Sequence, residues 1–93
     1  MEKTRRQEIR ESLSEREWTL DGLVARYEVT KKTIVEDLEH IARSVAPRQR
    51  LQIQAPVCDE CGFKFKGRSR FSDPSRCPRC NNEHLSPQRF RIR

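Results

Sequence analysis

The chain has 93 residues, of which 33% are hydrophobic and 37% charged, with a net charge of +6. That leaves too little apolar material for a large core, and chains this short commonly depend on a metal, disulfides or oligomerisation. No apolar run is long enough to span a membrane, and the opening Met1-Glu-Lys-Thr-Arg-Arg leads into charge rather than a leader sequence, so a reducing, cytoplasmic setting is expected.

Thr4-Arg-Arg-Gln7 has the form of a capping box, and Ile9 and Leu13 follow at i, i+4 spacing, so residues 5–14 are predicted to form a short helix. Trp18 stands in a brief break. Thr19 caps a second helix whose Leu20, Leu23, Val24 and Tyr27 share one face, despite Gly22, which costs on the order of 1 kcal/mol relative to alanine. A turn at Glu28-Val29 leads to Thr30, a third cap. Ile34, Leu38, Ile41 and Val45 then recur as an amphipathic stripe that stops at Pro47.

Past Pro47 the period changes to two. Leu51 and Ile53 alternate with Arg50, Gln52 and Gln54, and Phe63-Lys-Phe-Lys66 and Arg89-Phe-Arg-Ile-Arg93 alternate likewise, so all three segments are predicted strands. Between the second and third lies an Arg/Ser/Asp/Pro-rich loop, residues 67–75.

Cys58-x-x-Cys61 and Cys77-x-x-Cys80 are separated by fifteen residues, the spacing of a four-cysteine zinc site. Each tight turn supplies two adjacent soft ligands, and four thiolates close a tetrahedral shell, so one structural Zn²⁺ is expected at Cys58, Cys61, Cys77 and Cys80. A disulfide framework is the competing reading, and it belongs to oxidising compartments. Iron in the same four-thiolate shell is a further alternative, which would make the protein an electron carrier. With four thiols present, His84 is not needed as a ligand. Neither C-x-x-C sits in a βαβ pattern, and no nucleophile–base or paired-carboxylate grouping suggests hydrolysis, so no enzyme activity is expected.

The segment Leu20 to Val29, followed by Thr30-Lys-Lys-Thr-Ile-Val-Glu-Asp-Leu38, resembles the helix-turn-helix of winged-helix bacterial and archaeal repressors. The resemblance implies that the second helix of the motif enters the major groove with Lys31, Lys32 and Thr33 near base edges. Two residues depart from the pattern. Glu28 takes a turn position usually held by Gly or Asn, and Glu36 stands where related repressors carry arginine. Opposite the apolar stripe lie Lys32, Glu36, Glu39, His40 and Arg43, a face that is neutral apart from the histidine and so gives phosphates little attraction.

Cys58-Asp-Glu-Cys-Gly-Phe63 and Cys77-Pro-Arg-Cys-Asn81 resemble the paired knuckles of rubredoxin-like zinc ribbons, with Gly62 and Asn81 suited to the left-handed residue after each knuckle. Backbone N–H groups can then point at the sulfurs. Together the two halves resemble a small group of archaeal winged helix-turn-helix proteins carrying such a ribbon, which are predicted transcriptional regulators. The fold expected is α+β: a three-helix winged helix-turn-helix (residues 1–54 plus 88–93) with the zinc ribbon (55–87) inserted at the wing. Residues 89–93 then pair with 50–54, placing Leu51, Ile53, Phe90 and Ile92 against the helices.

Charge is uneven: residues 1–46 hold nine Lys/Arg against ten Asp/Glu, and residues 47–93 hold eleven against four. A polyanion partner is therefore expected, double-stranded DNA first. Its backbone contacts would come from Arg48, Arg50, Lys64, Lys66, Arg68, Arg70, Arg89, Arg91 and Arg93. The alternative is an interaction module, in which the helical hairpin docks a protein and the ribbon contacts RNA or an acidic surface.

Overall fold

The computed structural model describes residues 3–65 and 70–93. Three helices precede a small antiparallel sheet: α1 (Arg5–Glu15), β1 (Trp18–Thr19), α2 (Leu20–Tyr27), α3 (Lys31–Val45), β2 (Leu51–Gln54) and β3 (Arg89–Ile92). Each helix starts where a threonine hydroxyl accepts from the first turn. Thr4 does so from the Gln7 N–H, with the Gln7 side chain accepting in return; Thr19 serves Gly22, and Thr30 serves Thr33. α2 ends at Glu28, which adopts a left-handed conformation (φ 54°), a strained role for a residue other than glycine. Gly22 has a packing reason as well, because a Cβ there would lie 3.1 Å from the Thr19 hydroxyl and 3.5 Å from the Trp18 ring.

Ile9, Leu13, Leu20, Leu23, Ile34, Leu38, Ile41 and Val45 bury their side chains against Phe90 and Ile92, with Leu51 and Ile53 packed at the margin. Burying such a side chain contributes about 1.5–3 kcal/mol, so this one cluster carries the helical half. One carboxylate joins it. Asp37, with a side chain 1% exposed, accepts from Arg5 Nε at 2.6 Å, Arg5 Nη2 at 3.2 Å and Arg6 Nε at 2.8 Å, fastening the start of α1 to the middle of α3.

The sheet order is β1-β3-β2. Residues 51–54 and 89–92 pair as the sequence led us to expect, with Leu51 opposite Ile92, Ile53 opposite Phe90 and Gln54 opposite Arg89. The sequence reading missed β1. Trp18 is not in a break but pairs with Phe90, its indole donating to the Ser12 carbonyl at 3.0 Å. The expected strand at residues 63–66 is not formed among the described residues; Lys64 makes only an isolated bridge to Val57.

The β2–β3 register carries on into the ribbon. Ser86 N–H donates to the Val57 carbonyl at 2.9 Å, Cys58 bridges Leu85, and Asp59 N–H donates to the His84 carbonyl at 3.0 Å. These pairs continue the count from Gln54–Arg89 without a slip. In that count Pro56 stands opposite Pro87, two residues with no N–H to give, which is why the ladder lapses there. The metal-binding end is thus the tip of one long hairpin, and the chain extends to 50 Å along its longest axis.

Candidate metal centre and basic face

Both knuckles are built alike. Cys58 N–H donates to the Phe63 carbonyl and Gly62 N–H returns to the Cys58 carbonyl, at 2.9 and 3.0 Å. In the second knuckle Cys77 N–H donates to Asn82 and Asn81 N–H returns to Cys77, at 2.9 and 2.8 Å. The turn closes because Gly62 (φ 75°) and Asn81 (φ 63°) are left-handed, as their residue types suggested.

The four sulfurs converge. Cys58 and Cys80 Sγ lie 3.5 Å apart, Cys61 and Cys77 Sγ 3.6 Å, and all four fall within 4.8 Å of one another. A zinc–sulfur bond of about 2.3 Å implies a tetrahedron edge of about 3.8 Å, so the spacing fits one ion. It does not fit disulfides, which need about 2.05 Å, and all four cysteines are free. Cys58 and Cys77 are buried, whereas Cys61 and Cys80 reach the surface.

The backbone already favours thiolates. Arg79 N–H points at Cys77 Sγ from 3.4 Å. Burial opposes ionisation of Cys77, but the N–H groups of Cys80 and Arg79 and the thiols of Cys61 and Cys80 outweigh it, bringing its pKa down to about 7. At Cys80 the Asn82 N–H favours the charged form, but burial and the other three sulfurs prevail and push the thiol up to about 12. Cys77 ionises readily while Cys61 and Cys80 resist joining it, a conflict that a divalent cation eases by offsetting two of the four thiolate charges. His84 takes no part in the cluster; its carbonyl serves Asp59 and its side chain is exposed.

The expected basic residues do not form one surface. Arg50, Arg89, Arg91 and Arg93, with Gln52 and Gln54, line the outer face of the sheet, on the far side from the helices. Glu17 is the one carboxylate lining this face among the described residues. Arg91 is partly covered, and its Nε is buried without a hydrogen-bond partner among the described residues. Lys31, Lys32, Val35, Glu36 and Glu39 line a separate groove on α3 with Ser72 and Asp73. There Lys31 Nζ lies 3.4 Å from Asp21, and Thr33 is occupied with the Thr30 cap. Arg48 joins neither group; it lies beside Arg10 and Ser44. Lys64 and Arg70 are exposed, and Lys66 and Arg68 lie outside the described residues.

Sequence reasoning also missed how the ribbon is tied to the helical half. Gln88 is fully buried and its amide donates to the carbonyls of Arg70 and Ser72, at 3.3 and 3.1 Å. Phe71 packs on Phe90 with ring centroids 5.9 Å apart. No periodicity marks Gln88, since it sits in a loop before a four-residue strand. Phe63 and Phe65 are half-buried and meet edge to face at 5.2 Å beside the first knuckle.

Residues 4–53 match a family model described as PF0610-like, N-terminal, and residues 55–93 match the PF0610 rubredoxin-like zinc beta-ribbon domain. The chain belongs to the PF0610-like family. It is similar to protein PF0610 from Pyrococcus furiosus, whose solution NMR structure is 33% identical. That match covers 96% of this chain and 88% of the other, with a TM-score of 0.78. No curated protein matches the chain. The PF0610-like ribbon model and the sulfur geometry agree on one structural zinc held by four cysteines. Among the described residues, no helix is long and apolar enough to cross a membrane.

Proposed function

We propose that this PF0610-like protein is a non-enzymatic DNA-binding regulator, a winged helix-turn-helix whose wing is extended into a zinc ribbon. The observation that carries this reading is the arginine face of the hairpin. Arg89, Arg91 and Arg93 repeat every second residue along β3 and the residue after it, roughly 6.8 Å apart, with Arg50 paired to Arg93 just before β2. None of the side chains lining this face is aromatic among the described residues. Sheet surfaces that hold single strands stack bases on aromatic rings, so this one is suited to the phosphates of a duplex.

Backbone contact of this kind is independent of sequence. If the four arginines neutralise four phosphates, log affinity falls against log salt with a slope of about −3.6. Anisotropy with duplex, single-stranded DNA and RNA across a salt series tests the reading. Duplex preference with that slope, lost in Arg89→Ala/Arg91→Ala/Arg93→Ala, supports it; no duplex binding at low salt refutes it.

A second reading is favoured by α3. Its exposed face is flanked by Glu36, Glu39 and Asp73, and Lys31 is already beside Asp21. Such a face suits a protein partner better than a phosphate backbone. If Lys31→Ala/Lys32→Ala leaves both affinity and sequence preference for duplexes unchanged, α3 is the partner-docking helix of an interaction module.

A further inference from the structure

The groove between α1 and α3 lies away from the sheet's arginine face and has a different chemistry. Arg6 and Arg10, spaced i, i+4, form the α1 wall; His40 and Ser44, spaced i, i+4, form the α3 wall; Ile41 is the floor. No carboxylate lines it among the described residues. Both oxygens of Asp37 are taken by Arg5 and Arg6, which fixes Arg6 through its Nε and leaves its terminal nitrogens without a partner among the described residues. The Arg10 guanidinium, the His40 ring and the Ser44 hydroxyl likewise make no hydrogen bond or ion pair among the described residues. Four donor groups therefore face one recess, and one of them is already held in place.

We propose that this groove binds the phosphate group of a small ligand. A planar carboxylate satisfies a single guanidinium fork, whereas a tetrahedral oxyanion presents oxygens to both walls at once and carries more charge. The recess between two helices admits such a group, and it lies on the helical side of the molecule, apart from the face assigned to the duplex. The site goes beyond the DNA-binding reading and would give a regulator a place to sense a phosphorylated metabolite or free phosphate.

Amide NMR of the zinc-loaded protein, titrated with inorganic phosphate at low chloride, tests it. The expected result is saturable shifts at Arg6, Arg10, His40 and Ser44, with a dissociation constant on the order of 1 mM. Acetate at the same ionic strength should leave those signals in place. Arg10→Ala should weaken binding about tenfold without moving the melting temperature, since the Arg10 side chain makes no hydrogen bond or ion pair among the described residues. A nucleoside monophosphate that binds more tightly than phosphate identifies the metabolite class; equal affinity identifies free phosphate. The triple variant Arg89→Ala/Arg91→Ala/Arg93→Ala should bind phosphate as before, which separates this site from the duplex face. Equal responses to phosphate and acetate, shifts that never saturate, or loss of binding in the triple variant would each overturn the proposal.

Discussion

Asp37→Asn is the sharpest test of how the helices are held. The substitution keeps the shape and removes the charge that receives three hydrogen bonds from Arg5 and Arg6. A hydrogen bond to a charged group is worth about 1.5–3 kcal/mol, but the two arginine side chains are 40% and 43% exposed and can turn into water when released. Their share must be discounted for that screening, and the amide oxygen still accepts one bond. The net cost should be about 2 kcal/mol, or about 10 °C of melting temperature for a domain of this size. The converse variant, Arg5→Ala/Arg6→Ala, leaves a buried carboxylate without a counter-charge and should cost more, about 3–5 kcal/mol. The pH dependence follows from the sign of the shift. Burial works against ionisation of Asp37, yet the hydrogen bonds and charges of Arg5 and Arg6 outweigh it and hold its pKa below 3.8. A depressed carboxylate contributes stability that is present above its unfolded pKa and disappears as pH falls through the folded one. The gap between wild type and Asp37→Asn should be constant from neutral pH to about pH 4 and close below that. Thermal unfolding followed by Trp18 fluorescence at matched pH values measures the gap, with zinc loss in acid common to both proteins. A neutral-pH gap near zero, or one that persists unchanged in strong acid, refutes the reasoning.

Zinc removal by a chelator should unfold the knuckles, because such sites supply on the order of 10–16 kcal/mol of apparent folding free energy. It should also lower the melting temperature of the helices, since Phe71 and Gln88 tie the ribbon to Phe90 and β3; a calorimetric helix transition unmoved by chelation would rule out that tie. Gly62→Ala should cost about 1–2 kcal/mol through the backbone alone, because no atom of the described residues lies within 4 Å of the added carbon, and denaturant titration of the zinc form reads it. Glu17→Gln removes the carboxylate from the arginine face and should tighten duplex binding severalfold at low salt and little at high salt; unchanged affinity at low salt would mean that the duplex is held elsewhere.

Much of this molecule is written in short-range patterns. The three threonine caps, the apolar stripe of α3, the pairing of residues 50–54 with 89–93 and the cysteine knuckles each need only a few adjacent residues to declare themselves. What escaped detection depends on distant partners. β1 is two residues long, too short to show alternation. Pro56 and Pro87 look like loop punctuation until the register places them face to face. Asp37 escaped as well, although it lies three residues after Ile34 on the buried side of α3, where a carboxylate calls for a cation. That the cations are Arg5 and Arg6 required the packing of α1. The basic residues show the same limit: composition gave the sign of the charge, but only the fold separates Arg48 from the strand arginines and sets Lys31 beside Asp21.

The unbroken count between the two arms of the hairpin restricts how relatives of this chain can vary in length. One extra residue in either arm alone would turn every later side chain over, swapping arginines for phenylalanine and isoleucine and swinging the sulfurs out of reach of each other. Growth or shortening must come as matched changes on both arms, or be confined to the stretch between the knuckles, where neither arm keeps score.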